Sequence, residues 1–376
     1  MDNQLPIGST IGILGGGQLG RMLSLAASRL GMITHIFEPN INSPAGRVSQ
    51  HVTNASYDDV EALQAFGQAV DVITYEFENI PTSVLDILEN INTIYPGRRA
   101  LAISQDRLAE KNFLNSLGLH TAPFANVEND KEAMVAIASI GTPSILKTRR
   151  MGYDGKGQVK ITQPTEIHTA WGTMQGSASI LEGFIDFSHE VSVIAARGVD
   201  GEVSCYDPGE NVHHEGILHT TKVPSSLSTP QRVDAVLIAG KVLNALQYVG
   251  VMGVELFVTP EGLVVNEIAP RVHNSGHWTQ DGCDICQFEQ HIRAIAGWPL
   301  GDGSRHTDIM MENLIGEDIN RIPELSKSSA ALHVYGKEEI DAVAQCLSES
   351  TQMGNYSRKF ESAIANLFDK KHCLYV

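Results

Sequence analysis

The stretch VMGVELFVTPEGLVVNEIAPRVHNSGHWT, residues 251–279, constrains this chain more than any other. Two runs rich in Val, Leu and Phe flank Thr259-Pro260-Glu261-Gly262. Apolar runs around a short turn that ends in glycine predict a β-hairpin. If Pro260 to Gly262 form the loop, Thr259 pairs with Leu263, and counting back along the ladder sets Glu255 opposite Glu267 on one face. Like charges directly across a ladder repel, and apolar flanks raise the cost of a bare carboxylate, so the pair calls for a cation. Mg²⁺ held by one or two carboxylates together with substrate phosphates meets that demand. Glu255 and Glu267 are therefore candidate metal ligands.

A phosphate-bearing partner must be a small molecule. The chain has 376 residues and a formal net charge of -17, a balance that repels nucleic acid and anionic membranes alike. No apolar run approaches the ~18 residues of a membrane span, and MDNQLPIGST lacks the charged and apolar regions of a signal peptide. The expectation is a soluble cytoplasmic protein of two or three domains. Five cysteines, scattered and odd in number, suggest no disulfide framework, and Cys283-x-x-Cys286 lacks nearby partners for a zinc site.

Residues 10–37 predict strand, glycine turn, helix, strand: TIGIL, Gly15 to Gly20, RMLSLAASRLG, MITHIF. The turn satisfies G-x-G-x-x-G, and Glu38 follows near the spacing of a ribose-binding acid. A helix N-terminus of this kind is expected to hold a phosphate, whether of a dinucleotide or of a sugar phosphate. An NAD-dependent dehydrogenase is accordingly one alternative. VDVITYEFENIP predicts a parallel strand that places Glu76 and Glu78 at its C-terminal end, where ligands collect in open α/β sheets. Beyond a connecting helix carrying Arg107 and Lys111 on one face, PSILKTRR ends a strand in a basic cluster. MGYDGKGQVKI then makes a glycine-rich turn without the P-loop spacing. Its glycines free backbone N–H groups for a polyphosphate, and Lys147, Lys156 and the neighbouring arginines supply compensating charge.

The order GGGQLGRM, YEFENIP, QDRLAEKNFL, KTRRMGYDGKGQ, GENVHHEGIL, VELFV and NEIAPRVHNSGHWT resembles the ATP-grasp family of N5-carboxyaminoimidazole ribonucleotide synthetases of purine biosynthesis, over about residues 8–339. The resemblance implies an α/β, three-domain ATP-grasp fold: a Rossmann-like parallel sheet in residues 1–105, a lid domain in 106–186, a C-terminal ATP-grasp domain in 187–339, then an atypical tail in 340–376. It implies ATP and Mg²⁺ as cofactors, bicarbonate and 5-aminoimidazole ribonucleotide as substrates, and a homodimer.

Nucleotide contacts implied by the resemblance are Arg107, Lys147, the loop Gly152, Tyr153, Asp154, Gly155, Lys156, Gly157 and Gln158, then Glu182, Gly183, Phe184, Ile185, Glu190, His213, Asn266 and Glu267. Glu255 and Glu267 become the Mg²⁺ ligands. Asp154 is the candidate for moving a proton at the aminoimidazole amine, Arg271 for stabilising bicarbonate and carboxyphosphate, and Lys337 is a further catalytic candidate. Gln18, Leu19, Glu76, His273, Asn274 and Ser275 are the expected ribonucleotide contacts, with His277 and Trp278 packing the turn.

Three departures from the family pattern stand out. Met151 replaces a glycine of the phosphate loop, and His219 stands where arginine is frequent. After Lys337 the basic segment of type RPGRKMGH is absent. The tail EEIDAVAQCL…MGNYSRKFESAIANLFDKKHCLYV instead resembles an early segment of a pyridoxal-phosphate-dependent sugar aminotransferase. It stops short of a Schiff-base lysine, so no transaminase activity is expected. A noncatalytic ATP-binding protein is the remaining alternative.

Overall fold

The computed structural model describes residues 4–152, 157–214 and 216–335. Tyr153, Asp154, Gly155, Lys156, Lys337 and the tail 340–376 lie outside the described residues. Three sheets follow one another along the chain. In the first, β1 (Thr10–Leu14), β2 (Ile33–Phe37), β3 (His51–Thr53) and β4 (Val72–Tyr75) run parallel in the order β3-β2-β1-β4. Near-continuous apolar strands with helical crossovers favour this parallel arrangement. Because β1 and β4 are neighbours, the glycine turn after one lies against Glu76 after the other.

The second sheet is antiparallel, with β5 (Phe124–Val127), β6 (Ser144–Thr148), β7 (Gln158–Ile161) and β8 (Ser179–Gly183) in the order β5-β8-β6-β7. The helices Asp130–Ile140 and Ile167–Thr173 cover one face, closing a small core around Leu146, Ile161 and Leu181. The third sheet is also antiparallel. It contains β9 (His189–Arg197), β10 (Val203–Cys205), β11 (Gly209–His214), β12 (Ile217–Val223), β13 (Gly250–Thr259), β14 (Gly262–Ala269) and β15 (Ile309–Glu312), in the order β14-β13-β9-β11-β12-β15 with β10 on β9. The helix Thr229–Leu246, started by a Ser228/Gln231 capping box, packs Ala239, Val242 and Leu243 onto Val193, Met252 and Val254. On the other side the helix Gln287–Ile295 packs between β13 and the helix Gln18–Arg29, so the first and third sheets share a core.

The hairpin corrects one expectation and preserves its consequence. Thr259 pairs with Gly262, not Leu263, so the loop is only Pro260-Glu261. The pairing shifts beyond Leu256↔Val265, leaving Asn266 as the extra residue, and Glu255 again opposes Glu267. A β-bulge has replaced the missing loop residue.

His291 ties the sheets together. It accepts the Val251 N–H at Nδ1 (3.1 Å), which leaves Nε2 to donate to Thr74 Oγ1 at the end of β4 (2.8 Å). Burial pushes His291 down to about 3, and burial followed by His273 does the same to His277. Because both folded values lie below the ordinary 6.5, unfolded chains bind these protons first as the pH falls. The stabilisation is therefore complete above pH ~6.5 and is lost below it, at about 1.4 kcal/mol per pH unit per histidine. We expect urea midpoints to drop clearly between pH 7 and pH 5, and equal midpoints would contradict this account.

Candidate active site

The site lies where the second and third sheets meet the helix Arg107–Ser116. Asp106 caps that helix through the Leu108 and Ala109 N–H groups. One helical face presents Arg107, Glu110 and Lys111 to the hairpin. Arg107 Nη1 donates to Glu267 Oε2 (3.1 Å), and buried Lys111 donates to the Asn266 carbonyl (3.2 Å). Glu110, also buried, accepts the Ile268 N–H (2.7 Å). Glu182 on β8 lies 2.8 Å from Lys147 Nζ on β6 and 3.5 Å from Lys111 Nζ. Burial works against its charge, but the two lysines, Lys147 first, hold its carboxyl below the ordinary range.

Facing these cations is an acidic face of the third sheet. Burial, then Glu267, then Glu190, pushes Glu255 up to about 8. Burial also works to raise Glu267, but Arg107 and then Lys147 overcome it and hold that carboxyl down. Glu190 is raised by burial, with Glu267 contributing, and lies 3.3 Å from His213 Nδ1. The Asn266 amide donates to Glu255 across 3.4 Å. Among the described residues no group of three or more His, Cys, Asp or Glu side chains is arranged to hold a metal. Two opposed carboxylates fit a hard divalent cation whose other ligands come from phosphates and water.

The loop beyond β14 continues the site. Arg271 donates from Nε and Nη2 to Glu78 (2.5 and 3.3 Å) and from Nη1 to the Val272 carbonyl (3.2 Å). Burial opposes the charge of Glu78, but Arg271 holds its carboxyl below the ordinary range. A guanidinium has five N–H groups, so one on each terminal nitrogen remains for an anion. His273, pushed down to about 4 by burial and then Arg271, is neutral at pH 7. The Ser275 N–H points at its Nδ1 (3.4 Å), so Nε2 carries the proton and faces Glu255 Oε1 at 3.4 Å. Behind it runs a buried chain in which Thr221 donates to Asn211, Asn211 to Ser192 and Ser192 to Ser275, at 2.9, 2.9 and 2.6 Å. Ser275 Oγ in turn lies 2.8 Å from His273 Nδ1.

Gln18 and Asn274 line one open cleft with His277 and Trp278. Leu19 is buried in the core, which leaves only its backbone for a ligand. Gly183 and Phe184 use their N–H groups on Pro123 and Pro143 in the crossover from β8 to β9, and Ile185 follows half-buried. Gly157 has φ +70 and a Cβ there would lie 2.6 Å from Thr148 Oγ1, so the loop's return to β7 requires glycine. Gln158 starts β7, and half-buried Gly152 precedes the undescribed part of the loop. Met151 adopts φ 60, the left-handed region that a glycine would occupy without strain.

At two expected phosphate sites the chain's own carboxylates engage the groups concerned. At the first glycine turn, Glu76 accepts the Gly17 and Gly20 N–H groups, and Glu38 Oε2 accepts that of Gly16 (2.8 Å). At Gly15 a Cβ would meet Glu76 Cγ at 2.5 Å, so the close approach of this carboxylate depends on glycine. Carboxylates thus accept the N–H groups at this helix N-terminus, and their charge would oppose an NAD pyrophosphate there. The arginines of the basic cluster are also engaged: Arg149 grips Asp106 (2.7 and 3.0 Å) and reaches Glu128, and Arg150 lies 3.4 Å from Asp106. Glu78 was expected only as an acid at the ligand end of a parallel strand, with no partner or role; Glu110 and Ser192 were not among the residues expected at the site. Of these last two, Glu110 left a trace in sequence, at the i, i+3, i+4 spacing it shares with Arg107 and Lys111.

Comparison with known proteins identifies both domains and the fold. A ribonucleotide synthetase preATP-grasp domain matches residues 8–105 and an ATP-grasp domain residues 112–288. The N5-carboxyaminoimidazole ribonucleotide synthase of Brucella melitensis is 51% identical over 339 residues, 89% of this chain and 94% of that protein. Its namesake in Bacillus subtilis is 41% identical over 337 residues, 89% of this chain and 88% of that protein. An ADP complex of an N5-carboxyaminoimidazole ribonucleotide synthetase superposes with TM-score 0.87 at 40% identity, covering 90% of each chain. The Aspergillus clavatus enzyme, solved with ADP and 5-aminoimidazole ribonucleotide, superposes with TM-score 0.82 at 28% identity over 88% of this chain and 90% of its own. An ATP-grasp fold behind a parallel N-terminal sheet, shared with these proteins over most of its length, places the chain in the N5-carboxyaminoimidazole ribonucleotide synthase family.

Proposed function

We propose that the chain is an ATP-grasp ligase that carboxylates 5-aminoimidazole ribonucleotide to N5-carboxyaminoimidazole ribonucleotide at the expense of ATP, with bicarbonate as carbon source. The observation that carries this reading is the opposed pair Glu255 and Glu267, faced by Arg107 and Lys147 and continuous with the Arg271–Glu78 fork. Bound Mg²⁺ would neutralise charge on the transferring phosphoryl group. Glu255 and Glu267 hold that ion, while Lys147, Arg107, Glu190, His213 and the loop from Gly152 to Gln158 bind the nucleotide. Glu182 sets the position of Lys147.

A bicarbonate oxygen bonds to the γ-phosphorus as its bond to the β–γ bridging oxygen breaks, releasing ADP and leaving carboxyphosphate. Phosphoryl transfer of this kind depends on positioning and electrostatics. Arg271, its plane fixed by Glu78, offers the two remaining N–H groups to the bicarbonate and carboxyphosphate oxygens. The aminoimidazole nitrogen then bonds to the carboxyl carbon, inorganic phosphate leaves and the amine proton passes to a base, for which Asp154 is the candidate. Gln18, His273 and Asn274 line the ribonucleotide side, with Lys337 proposed beside them. Glu76 and Ser275 keep their proposed role there through the turns that they hold. The three sheets support a division near residues 105 and 186. A homodimer in the cytoplasm completes the proposal, and the tail contributes no transaminase activity.

The test is ADP release with Mg²⁺, ATP, bicarbonate and 5-aminoimidazole ribonucleotide. The expected result is release that requires bicarbonate and rises with the ribonucleotide. Bicarbonate dependence without stimulation would mean that the altered C-terminus uncouples the two half-reactions. No ATP consumption would overturn the proposal in favour of a noncatalytic nucleotide-binding protein.

A further inference from the structure

The register of β13 and β14 conceals a choice. From Thr259↔Gly262 to Leu256↔Val265 the strands pair as the tight loop dictates. Continued unchanged, that ladder would set Glu255 against Asn266 and Val254 against Glu267. Residues directly opposite each other share a face. Val254 is fully buried against the helix Thr229–Leu246, so Glu267 would be driven into the apolar core, away from Glu255. A slip of one residue therefore decides whether the two carboxylates meet. The bulge at Asn266 makes that decision, and a bulge disrupts the ladder around the extra residue.

The helix Arg107–Ser116 supplies partners on both sides of it. Lys111 Nζ donates to the carbonyl of Asn266, Glu110 Oε1 accepts the N–H of Ile268, and Arg107 takes the side chain of Glu267 between them. Glu110 and Lys111 are each 2% exposed, in a setting where apolar side chains of like size would pack at lower cost. Buried ionic groups retained against that cost are best attested as devices that fix register.

We propose that Glu110 and Lys111 are positioning residues that hold the Asn266 bulge and so aim Glu267 at Glu255. This inference rests on the reading of Glu255 and Glu267 as the metal pair. Glu110 and Lys111 read the hairpin by its backbone, one N–H and one carbonyl, while Arg107 alone takes a carboxylate. An acceptor at residue 110 and a donor at residue 111 are all the register requires.

Mn²⁺ binding to the full chain in the presence of ADP, followed by the loss of the free-ion EPR signal, tests both levels. Glu110→Leu removes the acceptor and is expected to weaken Mn²⁺ by about tenfold or more, the usual effect of losing a group that orients a metal ligand. Glu110→Gln keeps an acceptor oxygen and is expected to restore binding to within about threefold of wild type. Lys111→Met should follow Glu110→Leu, and it decides the matter if Glu110→Leu does not fold. ADP binding without metal should change little in the two Glu110 variants. Folded Glu110→Leu or Lys111→Met protein with wild-type Mn²⁺ affinity would overturn the proposal. Glu267→Gln that bound Mn²⁺ like wild type would instead overturn the metal reading beneath it.

Discussion

Replacing Glu267 by glutamine is expected to lower bicarbonate-dependent ADP release by about a thousandfold, near 4 kcal/mol of barrier, because one of two metal ligands loses its charge. Stability should barely move. Glu267 is 37% exposed on its side chain, and its neutralisation relieves the repulsion that helps push Glu255 up to about 8. Against that gain stands the loss of the Arg107 pairing, at a side chain that keeps some contact with solvent. Turnover and thermal melting of one preparation check both halves. Normal turnover would remove Glu267 from the metal site, and a large fall in melting temperature would mean that the pair is structural.

The second large effect concerns stability. Glu182 is buried and neutralises two lysines, one of them, Lys111, itself 2% exposed. Glu182→Leu leaves Lys111 as an uncompensated buried charge, which costs about 3–5 kcal/mol. The denaturant midpoint should fall accordingly, and adding Lys111→Met should recover part of the loss because the stranded charge goes with it. The pH dependence carries the same signature. Lys147 and Lys111 hold the Glu182 carboxyl below its unfolded value, so its contribution is complete above the ordinary carboxylate range and is lost as the pH falls through the depressed value. Wild type should therefore show an acid limb there that Glu182→Leu lacks. A midpoint unchanged in the variant would mean that the lysines find solvent instead.

The hairpin shows how far local pattern carries. Alternating apolar residues and a glycine-ended turn were enough to bring Glu255 opposite Glu267, although the route was different: a loop one residue shorter, and a bulge one residue longer. The bulge was illegible because its cause is a helix some 155 residues away in sequence, which binds a carbonyl and an N–H that every residue possesses. The glycine turn after β1 was legible as strand, turn and helix for the same local reasons. Its occupant was not, because Glu76 arrives from β4, 56 residues beyond the Gly20 N–H it accepts. The partner of Arg149 was likewise illegible, because Asp106 lies 43 residues before it in sequence.

Sequence alone determined the α/β character, the parallel first sheet, the hairpin and, through the ordered motifs, the family, because strand period, turn chemistry and motif spacing are properties of neighbouring residues. Tertiary structure alone decided which charges face one another. It turned Glu38 and Glu76 onto a helix end, paired Arg271 with Glu78, threaded the Ser192 chain to His273 and set the bulge that aims Glu267. Each of those pairings joins groups far apart in the chain, and burial makes each one obligatory only once packing has excluded water from around it.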